Sequence, residues 1–140
     1  MRILSLDLGS KSLGISISDE SNIIAIPLEN FTFEKNNYQS ALKKILDLTK
    51  TYKIYKILLG YPLRTDGKKS EMTFAVEKFN EALKKILDDE IIIKLFDERF
   101  STKRGIELLK MNNKYKKNIN EYKDMAASYV MLVDYLNHHF

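Results

Sequence analysis

The chain has no cysteine and no tryptophan, and its 140 residues include only two prolines, two histidines and five glycines. Without cysteine there are no disulfides, thiolate zinc sites, iron–sulfur clusters or thiol nucleophiles, and a reducing, cytoplasmic location is the natural expectation. His138 and His139 sit side by side at the C-terminus, where a frayed tail is a better reading than part of a Ser–His–Asp triad. Long apolar runs are also missing. No stretch approaches the roughly 18 apolar residues that cross a bilayer. The start, MRILSLDLGS, has Asp7 inside its short apolar run and reads as no export signal. Pro27 and Pro62 mark no linker, no repeat or low-complexity tract stands out, and residues 1–140 read as a single domain. What is present suffices for a core. Hydrophobic residues make up 44% of the chain and charged residues 30%, and a chain of this size buries about two-thirds of its unfolded surface.

The formal net charge is +4, from 23 basic and 19 acidic residues. Its distribution says more than its size. Between Arg99 and Asp124, the basic residues Arg99, Lys103, Arg104, Lys110, Lys114, Lys116, Lys117 and Lys123 face only Glu107, Glu121 and Asp124. That segment holds more than the whole positive excess. It reads either as an electrostatic footprint for nucleic acid or as a well-solvated helix face.

Residues 2–8 and 13–18 alternate like strands and are joined by a Gly/Ser turn; a third strand, about 22–28, follows SDESN and completes an antiparallel meander. Helical spacing appears over 38–52 and 70–88, with a short buried strand, ILLG (57–60), between them. IIIKLF (91–96) fits an interior strand. Ser101-Thr102 opens a helix to about Met111, and 121–138 is a last, largely apolar helix. The order β-β-β-α-β-α-β-α-α predicts an α/β fold, a mixed five-stranded sheet flanked by helices on both faces.

Three acidic positions stand out in that frame. Asp7 interrupts an apolar strand, Asp97-Glu98 ends another, and Asp124 opens the helix DMAASYVML. An unpaired carboxylate inside a strand costs several kcal/mol, so Asp7 must be paired, metal-bound or at an exposed strand end. Because strand residues alternate, only one of Asp97 and Glu98 can share a face with Asp7. Small Ala127 and Ser128 would let the last helix approach the sheet closely. Carboxylates converging from two strand ends and a helix would bind a hard divalent cation through oxygen, the arrangement used to cleave phosphodiesters. Each also has a structural reading: Asp7 bonding the GSKS turn, Asp97 capping the next helix, Asp124 favouring its helix N-terminus.

Four segments together are recognisable: LDLGSKSLGISISD, LLGYPLRTDGKKSE, FDERFST and KDMAASYVML. In order and across essentially the whole chain, they resemble the YqgF/RuvX family of RNase H-like proteins. The resemblance implies an RNase H-like fold and a catalytic, metal-holding set of Asp7, Glu98 and Asp124, with Asp97 the second choice. It implies Mg²⁺, with Mn²⁺ the alternative, and a nuclease of the bacterial cytoplasm. The family is linked to 5′-end maturation of pre-16S ribosomal RNA and, by similarity to junction resolvases, to Holliday junctions. On this reading the partners are nucleic acid (pre-16S rRNA or branched DNA) and ribosomal particles, with no membrane, and the chain is a monomer or homodimer. Lys11, Arg64, Arg99, Lys103, Lys114, Lys116 and Lys117 would hold the nucleic acid backbone. Tyr61, Tyr115 and Tyr122 read as core or rim packing ahead of base stacking. Two rival readings are a DNA junction resolvase and a non-catalytic RNA-binding assembly factor. Gly105, inside the helix after DERFST, should weaken that helix by roughly 1 kcal/mol relative to alanine.

Overall fold

Alternation in RILSLDL sends successive side chains of β1 (Arg2–Leu8) to opposite faces of a sheet, and both faces are covered. Leu4, Leu6 and Leu8 enter the larger core, with Leu13, Ile15 and Ile17 of β2 (Ser12–Ser18), while Ile3 joins a second core on the other face. The computed structural model describes residues 1–97, 99 and 101–138. Its sheet has five strands in the order β3-β2-β1-β4-β5, with β3 Ala25–Thr32, β4 Ile54–Tyr61 and β5 Ile92–Asp97. The first three strands are antiparallel, and β4 and β5 run parallel to β1. This is the expected mixed α/β sheet. Among the described residues no helix is long and apolar enough to cross a membrane.

The larger core lies under α1 (Tyr38–Thr51) and α2 (Glu71–Ile86). Ala41, Leu42, Ile45 and Leu48 form the buried stripe of α1, and Val76, Phe79 and Leu83 that of α2, at the spacing that faces one side of a helix. Ser70 caps α2: its Oγ accepts from the Thr73 amide at 3.3 Å, and Thr73 Oγ1 accepts from the Ser70 amide at 2.9 Å. The opposite face carries the polar alternate residues of β1 and β2, yet Ser5, Ser16 and Ser18 are fully buried. They are small because α6 (Ala126–His138) comes close. The Ser5 hydroxyl donates to the Ser128 carbonyl at 2.8 Å, Ser16 Oγ lies 2.9 Å from Ser128 Oγ, and the Ser128 hydroxyl donates to the Met125 carbonyl at 3.0 Å. Each hydroxyl therefore has a partner, as burial demands.

Three boundaries differ from the sequence expectation. β3 begins at Ala25, not 22, because the Asp19 carboxylate accepts from the Ile23 and Ile24 amides at 2.7 and 3.0 Å and Asn22 adopts φ 56°. Turn chemistry thus overrides two β-branched residues, and the strand runs on past Pro27, which an edge strand tolerates. β4 starts three residues early, at Ile54, which pairs with Arg2. The last helix is broken into α5 (Ile119–Tyr122), a 3₁₀ turn (Lys123–Met125) and α6, and a short α4 (Asn113–Lys116) precedes it.

The helix α3 (Ser101–Lys110) packs on the start of α6. Gly105 is buried there, and a Cβ on it would lie 2.0 Å from the Ala126 carbonyl oxygen. Arg104 grips Asp134 with two bonds of 2.8 and 3.0 Å, so this arginine is a strut between helices. Helix propensity alone makes Gly105→Ala stabilising. We expect the opposite sign, a loss of about 1–3 kcal/mol from overpacking against backbone, read by urea unfolding. A second expectation concerns acid. Hydrogen bonds from the Ile24 and then the Ile23 amide hold the Asp19 carboxyl below its ordinary value of 3.8. Its contribution is complete above that value and disappears as pH falls through the lower folded one. Asp19→Asn should therefore flatten the acid limb of stability measured against pH.

Candidate active site at the end of the sheet

Asp7 lies one residue from the C-terminal end of β1, half-buried, on the face that carries Ser5 and α6. Its cross-strand partner is Gly14, and Gly14 in turn pairs with Asn30 of β3. Paired residues point to the same face, so these three form one row across three strands. The row is vacant in the middle because glycine has no side chain. The 3₁₀ turn fills the space: a Cβ on Gly14 would lie 2.8 Å from the Asp124 carbonyl oxygen and 3.6 Å from the Met125 Cα. Asp124 is exposed, and its backbone rests on the residue opposite Asp7. The fold thus brings Asp7 and Asp124, 117 positions apart in sequence, to one strand end and one face.

Asp97 is placed differently. It pairs with Tyr61, whose hydroxyl donates to Glu77 of α2 at 2.9 Å, so its row belongs to the α2 face, opposite Asp7. Arg99 engages it: Nη2 lies 2.8 Å from Oδ2, and the Arg99 amide donates to Oδ1 at 3.1 Å. Partial burial opposes its charged form, but the side-chain and backbone hydrogen bonds and the charge of Arg99 outweigh this and hold the carboxyl below the usual carboxylate range. Glu98 lies outside the described residues. Among the described residues no three His, Cys, Asp or Glu side chains form a cluster able to hold a metal ion.

The basic residues divide into two groups. Lys11 in the β1–β2 turn, Arg64 after β4, Arg99 after β5 and Lys103 in the first turn of α3 all lie at the strand end that carries Asp7. A Cβ on Gly67 would lie 3.5 Å from Arg99 Nη1, which brings the β4–α2 loop against the segment after β5. Lys114, Lys116 and Lys117 are exposed on or just after α4. That helix sits by the β2–β3 turn, where Asn112 and Tyr115 share a small cavity with Ile23 and Ile24, at the other end of β1 and β2. Tyr115 is buried, with its ring 4.8 Å from that of Tyr122 and 6.0 Å from that of Tyr129, so it serves packing. Tyr61 is likewise held by its bond to Glu77.

Sequence reasoning missed Gly14 and Asn30, and it read Gly105 as a weakness of its helix and not as the seat of the Ala126 backbone. The Asn30 Oδ1 is buried with no hydrogen-bond partner, in the same row as Asp7. The signal for Gly14 was its place in an alternating strand, Leu13-Gly14-Ile15, where glycine is disfavoured unless another backbone approaches.

A family model described as RuvX, Holliday junction resolvase, matches residues 1–138. The chain belongs to the RuvX family. Among similar proteins, the "Putative pre-16S rRNA nuclease" of Mycoplasmopsis pulmonis is 45% identical over 138 residues, covering 98% of this chain and 93% of that one. The protein of the same name from Ureaplasma parvum is 41% identical, covering 100% and 99%. Among solved structures, Fowlpox virus resolvase with Holliday junction DNA superposes with a TM-score of 0.64 at 16% identity, covering 100% and 99% of the two chains. Thermus thermophilus RuvC with its Holliday junction substrate gives 0.62 at 9% identity, covering 98% and 95%. At such identities the likeness is one of fold, and the fold of this RuvX-family chain is RNase H-like.

Because Gly14 separates Asp7 from Asp124 by backbone contact alone, Gly14→Ala must push the 3₁₀ turn outward. The expected result is a loss of about 1–3 kcal/mol in urea titration.

Proposed function

We propose that this RuvX-family chain is a divalent-metal-dependent endonuclease that hydrolyses phosphodiesters in the 5′-end maturation of pre-16S rRNA. The observation that carries the reading is the seating of the Asp124 backbone on Gly14, the residue paired with Asp7, which puts two carboxylate residues at one strand end. Their chemistry fits a hard cation: the donors are oxygens, and the unpartnered Asn30 amide oxygen lies in the same row. Asp7, Asp124 and Glu98 are the residues that would hold Mg²⁺ or Mn²⁺. When bound, such an ion supplies Lewis acidity toward the scissile phosphate.

The chain's own residues account for the remainder. Lys11, Arg64, Arg99 and Lys103 ring the same strand end and hold substrate phosphates, a sequence-independent and salt-sensitive contribution. Lys114, Lys116 and Lys117 form a second, more distant basic group that suits an extended substrate such as a ribosomal particle. On this reading hydrolysis is a direct displacement by water, and the chain has no cysteine to serve as a nucleophile. Water attacks phosphorus, the P–O bond to the leaving strand breaks, and no covalent enzyme intermediate forms. The reading places one nuclease domain over residues 1–140 in the cytoplasm, as a monomer or homodimer.

A second reading, cleavage of Holliday junctions, is favoured by the description of the family and by the junction-bound resolvases that share the fold. End-labelled pre-16S RNA and a four-way DNA junction, each with Mg²⁺ or EDTA and with wild type beside Asp7→Asn, separate the two. We expect Mg²⁺-dependent cutting of the RNA, abolished by EDTA and by Asp7→Asn. Cutting of the junction alone selects the resolvase. Undiminished binding by both proteins with no cutting of either substrate leaves a non-catalytic RNA-binding assembly factor.

A further inference from the structure

A groove of about 810 Å³ lies between the N-terminal halves of α1 and α2, on the sheet face opposite α6. Tyr38, Leu42, Met72 and Phe79 line it, and Phe74 stands at its rim with 53% of its surface exposed. The wall is preformed, because Phe33 and Phe79 meet the Tyr38 ring edge-on, with centroids 6.0 and 6.4 Å away. Lys35 and Lys78 also line the groove, against the single carboxylate of Glu71, and Lys69 Nζ lies 5.6 Å from the centre of the Phe74 ring.

The groove opens toward the active end of the sheet. β4 runs parallel to β1, and α1 enters β4 while α2 leaves it, so both helix N-termini lie at the strand end that carries Asp7. Ser10, three residues beyond Asp7, closes that end of the groove. An apolar floor with a lysine rim suits an occupant that is flat and apolar on one side and anionic on the other. A second copy of this chain fits less well, because a two-fold contact across the groove would gather two lysines from each copy against one glutamate from each. We propose that the groove binds unpaired nucleotides of the substrate strand, with a base against Phe74 and Tyr38 and phosphates at Lys35 and Lys78. The proposal rests on the nuclease reading and adds a preference for a single-stranded segment beside the scissile bond.

The test is fluorescence anisotropy on the full chain in EDTA, with a labelled single-stranded oligouridylate and a blunt RNA duplex. Phe74→Ala should weaken oligouridylate binding about tenfold, the scale of one base–aromatic stack, and leave duplex binding unchanged. Phe74→Tyr should restore it. Lys78→Glu should weaken the single strand too, with a shallower dependence on salt. Phe74 is exposed, so its truncation leaves the core filled, and circular dichroism checks this. Wild-type affinity in both Phe74→Ala and Lys78→Glu, or an equal loss on duplex, overturns the proposal. So does a dimer in sedimentation that Phe74→Ala disperses, which would make a second copy the occupant. Asp7→Asn keeps the two readings separable: loss of cutting with Phe74-dependent binding intact supports both. Phe74-dependent binding by a wild type that cuts nothing sinks the nuclease reading and leaves the groove standing.

Discussion

Two backbone-on-backbone contacts fix where Asp124 sits relative to the strand end that carries Asp7. The Asp124 carbonyl sits where a side chain of residue 14 would be, and the Ala126 carbonyl sits where a side chain of residue 105 would be. The short stretch between α5 and α6 is therefore held from two sides, by β2 and by α3. Neither contact depends on a flexible side chain, so the position of Asp124 relative to Asp7 is set by chain packing at interior density. On the proposed reading, that rigidity would let the two carboxylates meet a cation with little ordering cost on binding.

The sheet faces are built on different principles. Against α1 and α2 the strands present leucine and isoleucine, and the helices answer with apolar stripes. Against α6 they present Ile3 and Leu58 at one end and serine and glycine beyond them, which trade hydrophobic area for proximity. The exchange is tolerable only because Ser5, Ser16 and Ser128 satisfy one another and the backbone, leaving no hydroxyl of the three unpaired. Close approach in turn allows the 3₁₀ turn to reach Gly14.

Much of this was legible in the sequence, and the parts that were not share a cause. Local patterning located every strand and the main helices, because alternation and helical spacing report which side of an element is buried. It misjudged IIIKLF, which reads as an interior strand yet forms the sheet edge β5, with Ile92 and Leu95 exposed. The start of β3 was obscured by the Asp19 turn, where a carboxylate satisfies two amides that β-branched residues would otherwise carry into a strand. Gly105 looked like a blemish in α3 until Ala126 was seen against it. For the site, pleat alternation already stated that Asp97 and Glu98 face opposite ways. It did not state which face held Asp7; the pairing of Asp97 with Tyr61 supplies that. Charge counting separates least. It groups Arg104, which is committed to Asp134, with Arg99 and Lys103 at the strand end of Asp7 and with the lysines of α4, which lie away from that end.

The bond between Ser5 and Ser128 joins residues 123 positions apart. A chain emerging from the ribosome can complete all five strands, α1 and α2 while α6 is still being made. During that interval the α6 side of β1 and β2 faces water, and because Ser5, Gly14, Ser16 and Ser18 make up most of it, little apolar surface beyond Ile3 is open to aggregation or a wrong partner. Asp7 is in place early, Asp124 among the last elements to dock. Asp7 and Asp124 thus come together only at the end of folding, and a nascent or truncated chain lacking α6 has a finished sheet without Asp124 seated on Gly14.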